Sequence, residues 1–456
     1  MNRIASRSVI ALILVLALGA GMIFFVGEYA VKGKSWATFS GSPHVYNGGN
    51  IGCGTVTDRS GTLLLDMTDS WQYTDDTLLR ESVMHWLGDR EGNISAPAVA
   101  SHAEEMVGYN MVNGVYRYGE SQGNATLTLS ADVQKTALEA LGDYKGTVAV
   151  YNYKTGELLC AVTSPTYDPD DVPDLEEDDD RYSGVYLNRF TMASYIPGSI
   201  FKTVTLAAAL EAVPDLQEHT YECDGVYSVG ADEVTCESAH GYQTLEEAFA
   251  NSCNCAFAQI VEELGGADLE RYVRQFRITE PVSFDGITTA EGNFDISSGE
   301  QIDIDWSGIG QHLDQINPCR FLTYMGAIAS GGEGVEPYLV SEIRVGGSRT
   351  YAARKQSTGR LMTAATAATM QAYMRNNVES NYGADNFPGL TVCAKSGTGE
   401  VGGDRRPNAM FCGFVTDDAY PLAFIASVED AGYGSSVCVP ILSQVLLACK
   451  DMMDAF

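Results

Sequence analysis

The sequence contains a serine and a lysine three residues apart, which could act as a nucleophile and its base. Ser199 and Lys202 make the pattern S-x-x-K in PGSIFKTVTLAAALEA, residues 197–212. A serine hydroxyl attacks poorly until a base takes its proton, and lysine can be that base when burial and nearby positive potential lower its pKa. Residues three apart share one face of a helix, so these side chains are expected side by side. Ser199 alone is equally typical of a helix cap, so other parts of the sequence must decide.

A second polar pattern, S-x-N, follows at Ser252 and Asn254. A hydroxyl and an amide at this spacing could relay a proton and hold a substrate amide. The same residues are also common in ordinary turns, so this pattern is weak evidence by itself.

The third pattern is Lys395-Ser396-Gly397-Thr398 on a predicted strand. An edge strand offers N–H and C=O groups to an extended peptide, and the Lys395 charge with the Ser396 and Thr398 hydroxyls could bind a carboxylate. Gly397 would let a neighbouring helix or the substrate come close. In isolation this stretch could be a flexible loop. In the order S-x-x-K, S-x-N, K-S-G, the three patterns form the serine–lysine acyl-transfer set, which favours Ser199 as a nucleophile.

The elements around these patterns predict an α+β domain from Asn124 onwards. TLTLSADVQKTALEAL predicts a strand and a helix, and GTVAVYNYKTGELLCAVTS predicts a hairpin around KTGE. Ala-rich helices follow, and the chain ends with the strands NAMFCGFVT and PLAFIASVE and a last helix. We expect one sheet that joins early and late parts of the chain.

An apolar run without charges, Val9 to Val26, lies near the N-terminus. A helix of about 18 residues just crosses ~30 Å of hydrocarbon. A cleaved signal peptide is the alternative, but its apolar region is usually shorter and ends in small residues, whereas this run ends in Phe-Phe-Val. We predict an uncleaved anchor with the rest of the chain outside the cytoplasm. The predicted units are a cytoplasmic tip and transmembrane anchor (1–31), a small extended module (32–123) and the domain that carries the three patterns (124–456).

The chain is strongly acidic, with a net charge of −32 from 28 basic and 60 acidic residues. Nucleic acids and anionic lipid surfaces require clustered Lys and Arg, so neither is an expected partner. The acidic run DPDDVPDLEEDDD, Asp168 to Asp180, is typical of a solvated loop and is given no catalytic role.

The chain has eleven cysteines, and an odd number cannot pair completely into the disulfides that are common outside the cytoplasm. They show no CxxC repeat and no familiar Cys/His zinc spacing, so no metal site is predicted. Cys223 and Cys236 bracket a short Gly-containing loop and could form a disulfide. Buried free thiols in a protein from a reducing or anaerobic habitat are at least as consistent with the pattern.

With these motifs in place, the chain resembles the class B penicillin-binding proteins, which are membrane-anchored D,D-transpeptidases of peptidoglycan synthesis. The resemblance covers nearly the whole chain. It includes the N-terminal anchor, TGELLCAVTSPTYDP before Ser199, HGYQTLEEAFANSCNCAFAQIVEELG around Ser252, SGIGQ, and AMFCGFV after Lys395. The implied fold is the penicillin-binding protein and serine β-lactamase-like α+β domain, with a central antiparallel sheet. Residues 32–123 match the family only in general style.

The resemblance also implies a role for each residue of the three patterns. Ser199 would attack the penultimate D-Ala carbonyl, Lys202 would accept its proton, and Ser252 would relay a proton to the leaving D-Ala. Asn254 would hold the peptide amide, and Lys395, Ser396 and Thr398 would bind the terminal carboxylate beside Gly397. The N–H groups of Ser199 and Thr398 would form the oxyanion hole.

The expected partners follow from the same resemblance. They are peptidoglycan stem peptides, β-lactam antibiotics and a glycan polymerase of the SEDS type in the membrane, and no metal or organic cofactor is expected. A D,D-carboxypeptidase and a serine β-lactamase are the alternatives among enzymes. The sequence between Asn254 and Lys395 has no E-x-x-L-N stretch to supply a deacylating glutamate. A catalytically silent β-lactam sensor or cell-wall scaffold is the alternative outside the enzymes.

Overall fold

A five-stranded antiparallel sheet, the central sheet, holds the middle and the end of the chain together. Its strands are, in spatial order, Leu158–Ser164, Gly146–Asn152, Leu422–Val428, Asn408–Val415 and Val392–Gly399. Residues of the first four strands are buried on both faces, as their nearly continuous apolar sequences require. The predicted α+β class is confirmed, as is a sheet built from early and late segments.

The computed structural model describes residues 2–455 except 40–41, 43–44, 48–49, 69, 95–96, 113, 117–121 and 174–179. In this part of the chain the helices of eight or more residues are Asn2–Ala37, Thr77–Leu87, Ala131–Leu141, Lys202–Ala212, Asn254–Leu264, Gly266–Gln275, Gln301–Ile309, Pro318–Ala329, Ala364–Asn377 and Gly434–Asp454. Shorter α-helices are Pro97–Ala100, Ala103–Met106, Arg189–Met192 and Leu245–Ala250.

The two faces of the central sheet pack into two separate apolar cores. Alternate side chains of a strand point to opposite faces, and Val148 and Val150 accordingly lie in one core while Ala149 and Tyr151 lie in the other. The first core is covered by the helices Ala131–Leu141 and Gly434–Asp454. The second is larger and contains the helical part of the protein, including Lys202–Ala212 and Pro318–Ala329.

The N-terminal residues are tied to the rest of the chain by a second, six-stranded sheet. Its strands are, in spatial order, Ser348–Ala352, Val340–Val345, Gly123–Leu127, Thr55–Thr57, Leu63–Asp66 and Gln72–Tyr73. Gly123–Leu127 pairs in parallel with Thr55–Thr57 on one side and antiparallel with Val340–Val345 on the other. Residues on both sides of the predicted boundary at 123/124 therefore share one sheet. The boundaries themselves stay predictions.

Six two-stranded pairs lie outside these sheets in the described part of the chain. Two of them, which we call the small hairpins, lie between residues 220 and 244 and pair Thr220–Cys223 with Gly241–Thr244, and Val226–Val229 with Asp232–Thr235. Two more pair Ser283–Phe284 with Ile287–Thr288 and Gly108–Asn110 with Gly114–Tyr116. The strands Glu333–Val335 and Ser357–Arg360 pair with each other, as do Tyr46–Asn47 and Asn50–Ile51.

The start of the acidic run is not a solvated loop, which corrects the sequence-based expectation. Asp168 is only 13% exposed, and its carboxylate accepts hydrogen bonds from Nε and Nη2 of Arg80 at 2.6 and 2.5 Å. A two-pronged guanidinium–carboxylate pair of this kind is strong when partly shielded from water. It attaches the run to the helix Thr77–Leu87. Residues 174–179 of the run lie outside the described residues.

The N-terminal helix Asn2–Ala37 is longer than the predicted apolar run and exposes nearly all of it. Leu12, Leu14, Leu16 and Leu18 are each 59–67% exposed. An apolar surface of this length favours a membrane span over a water-facing helix. The helix Gly434–Asp454 is also long and apolar, but Cys438, Leu442 and Val445 on one side of it are buried against the central sheet.

Gly310 ends the helix Gln301–Ile309 and allows it to touch the turn that carries Ser199. It has φ +94°, and a side chain there would overlap the Gly198 carbonyl oxygen and lie 2.5 Å from Cβ of Phe201. The Gly198 N–H donates to the Gly310 carbonyl at 2.8 Å. Both the backbone conformation and the contact therefore require glycine.

We expect Gly310→Ala to destabilise the protein by about 2–5 kcal/mol, since a left-handed alanine costs about 1–2 kcal/mol and overpacking adds about 1–3 kcal/mol. The matched control is Gly299→Ala, because Gly299 has φ +71° but open space around a Cβ. Gly299→Ala should lose only the stability that the left-handed backbone conformation costs an alanine. Thermal unfolding of the full chain in detergent measures both, and equal shifts for the two variants would show that the contact with Gly198 is not constrained.

Candidate active site

Ser199 and Lys202 lie side by side where a tight turn becomes a helix. Gly198–Phe201 forms a single 3₁₀ turn, and the helix Lys202–Ala212 begins directly after it. Residues three apart are eclipsed in a 3₁₀ turn, which places Ser199 Oγ 3.2 Å from Lys202 Nζ. Ser199 is partly exposed and Lys202 is fully buried. The predicted helix start is therefore a 3₁₀ turn at Ser199.

Hydrogen-bond acceptors surround the amine of Lys202. Its Nζ donates to the Ser252 carbonyl oxygen at 2.5 Å and to Oδ1 of Asn254 at 2.7 Å. Both acceptors lack a proton to give, so a neutral amine would use its two N–H groups on them. The remaining lone pair is then available for the hydroxyl proton of Ser199.

Burial and a second lysine act together on the proton affinity of Lys202. Burial is the larger cause and the positive charge of Lys395 the next, and the pKa of Lys202 is lowered to about 7. Burial likewise lowers the pKa of Lys395 to about 7. Two ammonium groups that share one hydroxyl neighbour repel each other. The pair is therefore most stable when only one of the two lysines is protonated to an ammonium.

Ser252 lies between the two lysines. Its hydroxyl is 3.3 Å from Nζ of Lys202 and 3.0 Å from Nζ of Lys395. It forms the bend between the helices Leu245–Ala250 and Asn254–Leu264, with φ +52°. A non-glycine residue in this region carries strain of about 1–3 kcal/mol, which the surrounding contacts must overcome. The hydroxyl is thus positioned to pass a proton between the two amines.

Lys395 lies on the edge strand of the central sheet, as the sequence predicts. Val392–Gly399 pairs on one side only, with Asn408–Val415. At Gly397 a side chain would come within 2.6 Å of the Pro197 carbonyl oxygen and 3.0 Å of the Ile200 nitrogen. The close approach predicted at this glycine is to the turn that carries Ser199.

The structure brings all the predicted residues into one region but gives two of them additional partners. Asn254 contacts Lys202 through its oxygen, and its amide nitrogen donates to the Thr235 carbonyl at 2.9 Å. The Ser396 hydroxyl lies 3.0 Å from the Tyr382 hydroxyl, and the Ser396 N–H donates to the same oxygen at 3.0 Å. Substrate contacts by Asn254, Ser396 and Thr398 stay predictions.

Sequence patterns gave no signal for several residues that complete the site. Gln311 donates to the Thr398 carbonyl at 3.0 Å, which fixes the end of the edge strand. Tyr382 follows the helix Ala364–Asn377 and is buried against Phe411. The ring of Phe257 lies 5.4 Å from Nζ of Lys202. Gln311 and Tyr382 have no short spacing to a motif residue, although SGIGQ contains Gln311, whereas Phe257 lies three residues after Asn254.

Cys223 and Cys236 are not joined by a disulfide. Both sulfur atoms lie 3.6 Å from Nδ1 of His240. None of the eleven cysteines, all of which the structure describes, takes part in a disulfide.

The arrangement can carry out acyl transfer. A partly exposed hydroxyl has an amine of lowered pKa beside it, a second hydroxyl connects that amine to another, and an edge strand lies alongside. These are the parts of a nucleophile, a base, a proton relay and a peptide-binding edge.

Comparison with known proteins identifies the family. Residues 146–447 match the family described as penicillin binding protein transpeptidase domain. The peptidoglycan D,D-transpeptidase PbpA of Mycolicibacterium smegmatis is 28% identical over 354 residues, which cover 70% of this chain and 71% of that protein.

Two solved structures show the same fold. Penicillin-binding protein A of M. tuberculosis, as a ceftriaxone acyl-enzyme complex, has a TM-score of 0.75 at 23% identity, over 87% of this chain and 98% of that one. The D,D-transpeptidase domain of a peptidoglycan glycosyltransferase from Eggerthella lenta also has a TM-score of 0.75, at 21% identity, over 89% and 99%. With a family match over well more than half of its length, this chain belongs to the penicillin-binding protein transpeptidase family, as its three motifs predict.

Proposed function

We propose that this chain is a peptidoglycan D,D-transpeptidase that crosslinks stem peptides through an acyl-enzyme on Ser199. The observation that carries the proposal is the 3.2 Å separation between the Ser199 hydroxyl and the fully buried amine of Lys202. Relatives that share this domain are named peptidoglycan D,D-transpeptidases, among them the PbpA proteins of two mycobacteria. One solved neighbour is an acyl-enzyme complex with ceftriaxone.

In the first half-reaction Ser199 Oγ attacks the carbonyl of the penultimate D-Ala while Lys202 takes the hydroxyl proton. The N–H groups of Ser199 and Thr398 bind the oxyanion of the tetrahedral intermediate. The C–N bond then breaks, and the proton passes from Lys202 through Ser252 to the nitrogen of the leaving D-Ala. An acceptor amine from a second stem peptide attacks the acyl-enzyme by the reverse route.

Substrate recognition is assigned to the edge strand. A stem peptide would align along Val392–Gly399 on the side that carries no strand partner. The positive charge of Lys395 attracts the terminal carboxylate, with the Ser396 and Thr398 hydroxyls beside it. A β-lactam carboxylate takes the same position, and its ring carbonyl replaces the scissile peptide.

The N-terminal helix is proposed to be a single membrane anchor, with the catalytic domain outside the cytoplasm where peptidoglycan lies. The exposed apolar surface between Val9 and Val26 supports this placement. Such a surface can also pack against a polytopic partner, and the family resemblance points to a SEDS-type glycan polymerase. Co-purification from membranes tests that partner.

Ser199→Ala should abolish covalent labelling by a fluorescent penicillin, since the attacking oxygen is lost while the turn keeps its backbone contacts. Gel fluorescence of the full chain measures the labelling, and an unchanged melting temperature shows that the variant is folded. Ser194→Ala is the matched control, because Ser194 is a nearby serine whose hydroxyl donates to the Glu291 carbonyl. Labelling of Ser199→Ala at the wild-type level would overturn the assignment of the nucleophile.

The acylation rate should rise with pH up to about 7 and then level off. A lysine with a pKa near 7 is about 1% neutral at pH 5 and mostly neutral above pH 8, whereas an ordinary lysine keeps gaining neutral form up to about pH 10. Stopped-flow acylation of an uncharged ester substrate measures the profile. Lys202→Arg keeps a charge that cannot be lost, so its rate should fall at every pH. A profile that still rises above pH 9 contradicts the role of Lys202.

Lys395→Ala should weaken acylation by penicillin by 10- to 100-fold, because a hydrogen bond to a charged group is worth about 1.5–3 kcal/mol. An ester analogue without the carboxylate should lose much less. The ratio of the two rates is the measurement, since it cancels any change in the pKa of Lys202 that follows removal of the Lys395 charge. Equal losses for both compounds would place Lys395 on the proton path instead.

A further inference from the structure

Three cysteines and a histidine from separate elements converge beside the second motif. Cys223 ends one strand of the small hairpins, Cys236 follows another, and His240 precedes the strand Gly241–Thr244. Cys253 lies between Ser252 and Asn254. Their sulfur and nitrogen atoms all lie within 4.8 Å of one another. Along the chain the pattern is C-x12-C-x3-H-x12-C, which has no CxxC pair to reveal it.

Three of the six distances among these four atoms are close to the edges of a zinc tetrahedron. With Zn–S bonds of about 2.3 Å and Zn–N bonds of about 2.0–2.1 Å, tetrahedral geometry requires S···S separations near 3.8 Å and S···N separations near 3.6 Å. His240 Nδ1 lies 3.6 Å from the sulfurs of both Cys223 and Cys236. The sulfurs of Cys236 and Cys253 are 3.9 Å apart. A disulfide requires about 2.0 Å, so this spacing is far too long for that bond.

The groups around the four side chains also fit a metal site. The other ring nitrogen of His240, Nε2, lies 3.2 Å from the Ser238 hydroxyl. A histidine that binds a metal usually has a hydrogen-bond partner of this kind on its second nitrogen, which fixes the ring. The Cys253 sulfur accepts from the Ala256 N–H at 3.4 Å, at the start of the helix Asn254–Leu264. A helix N-terminus stabilises a thiolate, the form that binds metal.

We propose that Cys223, Cys236, His240 and Cys253 bind one zinc ion in a closed Cys₃His site. Thiolate ligands in a tetrahedral arrangement select zinc among the common divalent cations. Four protein ligands leave no open position for water or substrate, so the metal is structural. It joins the small hairpins to the second motif.

The site has a consequence for catalysis, and this part rests on the proposed function. Zn–S bonding at Cys253 holds the backbone of its two neighbours, Ser252 and Asn254, which both contact Lys202. Asn254 also donates to the carbonyl of Thr235, the residue before Cys236. Zinc therefore positions the relay hydroxyl and one partner of the base, and Cys253 is a positioning residue.

Metal analysis of the full chain in detergent tests the site directly. After loading with Zn²⁺ and dialysis, we expect about one zinc per wild-type chain and a drop of roughly tenfold or more in Cys236→Ser and His240→Ala. Cys438→Ala is the control, because Cys438 is a buried thiol on the helix Gly434–Asp454. It should keep the wild-type content. Wild-type protein that retains less than a tenth of an equivalent overturns the proposal, as does an equal loss in Cys438→Ala.

A titration with Co²⁺ uses only the wild-type protein, so its result does not depend on whether the variants fold. Titration of metal-free wild-type protein with Co²⁺ should produce the visible bands of a tetrahedral site and a sulfur-to-cobalt charge-transfer band, saturating at about one equivalent. Added Zn²⁺ should displace the bound cobalt, and the absorption bands should disappear. Spectra of six-coordinate cobalt without the charge-transfer band would exclude thiolate ligation.

The positioning role has a separate readout. Removal of zinc by a chelator should slow acylation of Ser199 by roughly tenfold or more, and re-addition of Zn²⁺ should restore the rate. Bound zinc whose removal leaves acylation unchanged would overturn the positioning role. Bound zinc without any acylation of Ser199 would count against the proposed function, because the metal content does not depend on activity.

Discussion

The cost of burying a charged amine controls the arrangement of the site. A lysine ammonium that leaves water loses several kcal/mol of hydration, and a single partner cannot replace it. Lys202 is fully buried beside a second buried lysine, so the lowest-energy state has one of the two amines uncharged. The Ser252 carbonyl and the Asn254 amide oxygen hold the Lys202 amine in one orientation. The base that we propose at Lys202 would thus be a result of packing, and no acidic residue is needed to create it.

Three segments that are far apart in the sequence must therefore meet within a few ångströms. Glycines allow this, because Gly397 and Gly310 place backbone against backbone on two sides of the Ser199 turn. The helix Lys202–Ala212 is buried along most of its length and rich in alanine, so its neighbours can also come close. The central sheet supplies the remaining constraint. The pairing of its edge strand with Asn408–Val415 fixes the position of Lys395, whose amine contacts the Ser252 hydroxyl.

The motif residues could be predicted because their chemistry is local in sequence. S-x-x-K, S-x-N and K-S-G each place two functional groups within a turn or a strand, and their order specified the fold class as well. Gln311, Tyr382 and the Cys/His cluster could not be found in this way, since their contacts depend on tertiary packing. Gln311, for example, donates to the carbonyl of Thr398, which lies 87 residues further along the chain. The sequence predicts a solvent-exposed Asp168, because composition does not reveal that Arg80, which is distant in the sequence, lies next to it in the folded protein. The six-stranded sheet was missed for a similar reason, because its strands Thr55–Thr57 and Gly123–Leu127 are short and pair across long loops.

The parallel pairing of Gly123–Leu127 with Thr55–Thr57 limits how the protein can be shortened. A polypeptide that begins at residue 124 keeps every catalytic motif but loses the strand that covers one side of Asn124–Leu127. The N–H and C=O groups on that side would then face water as an open sheet edge, beside apolar side chains such as Ala125 and Leu127 that now have no cover. Open edges of this kind pair with other chains and lead to aggregation. Solubility of a truncated form thus depends on residues that take no part in the chemistry.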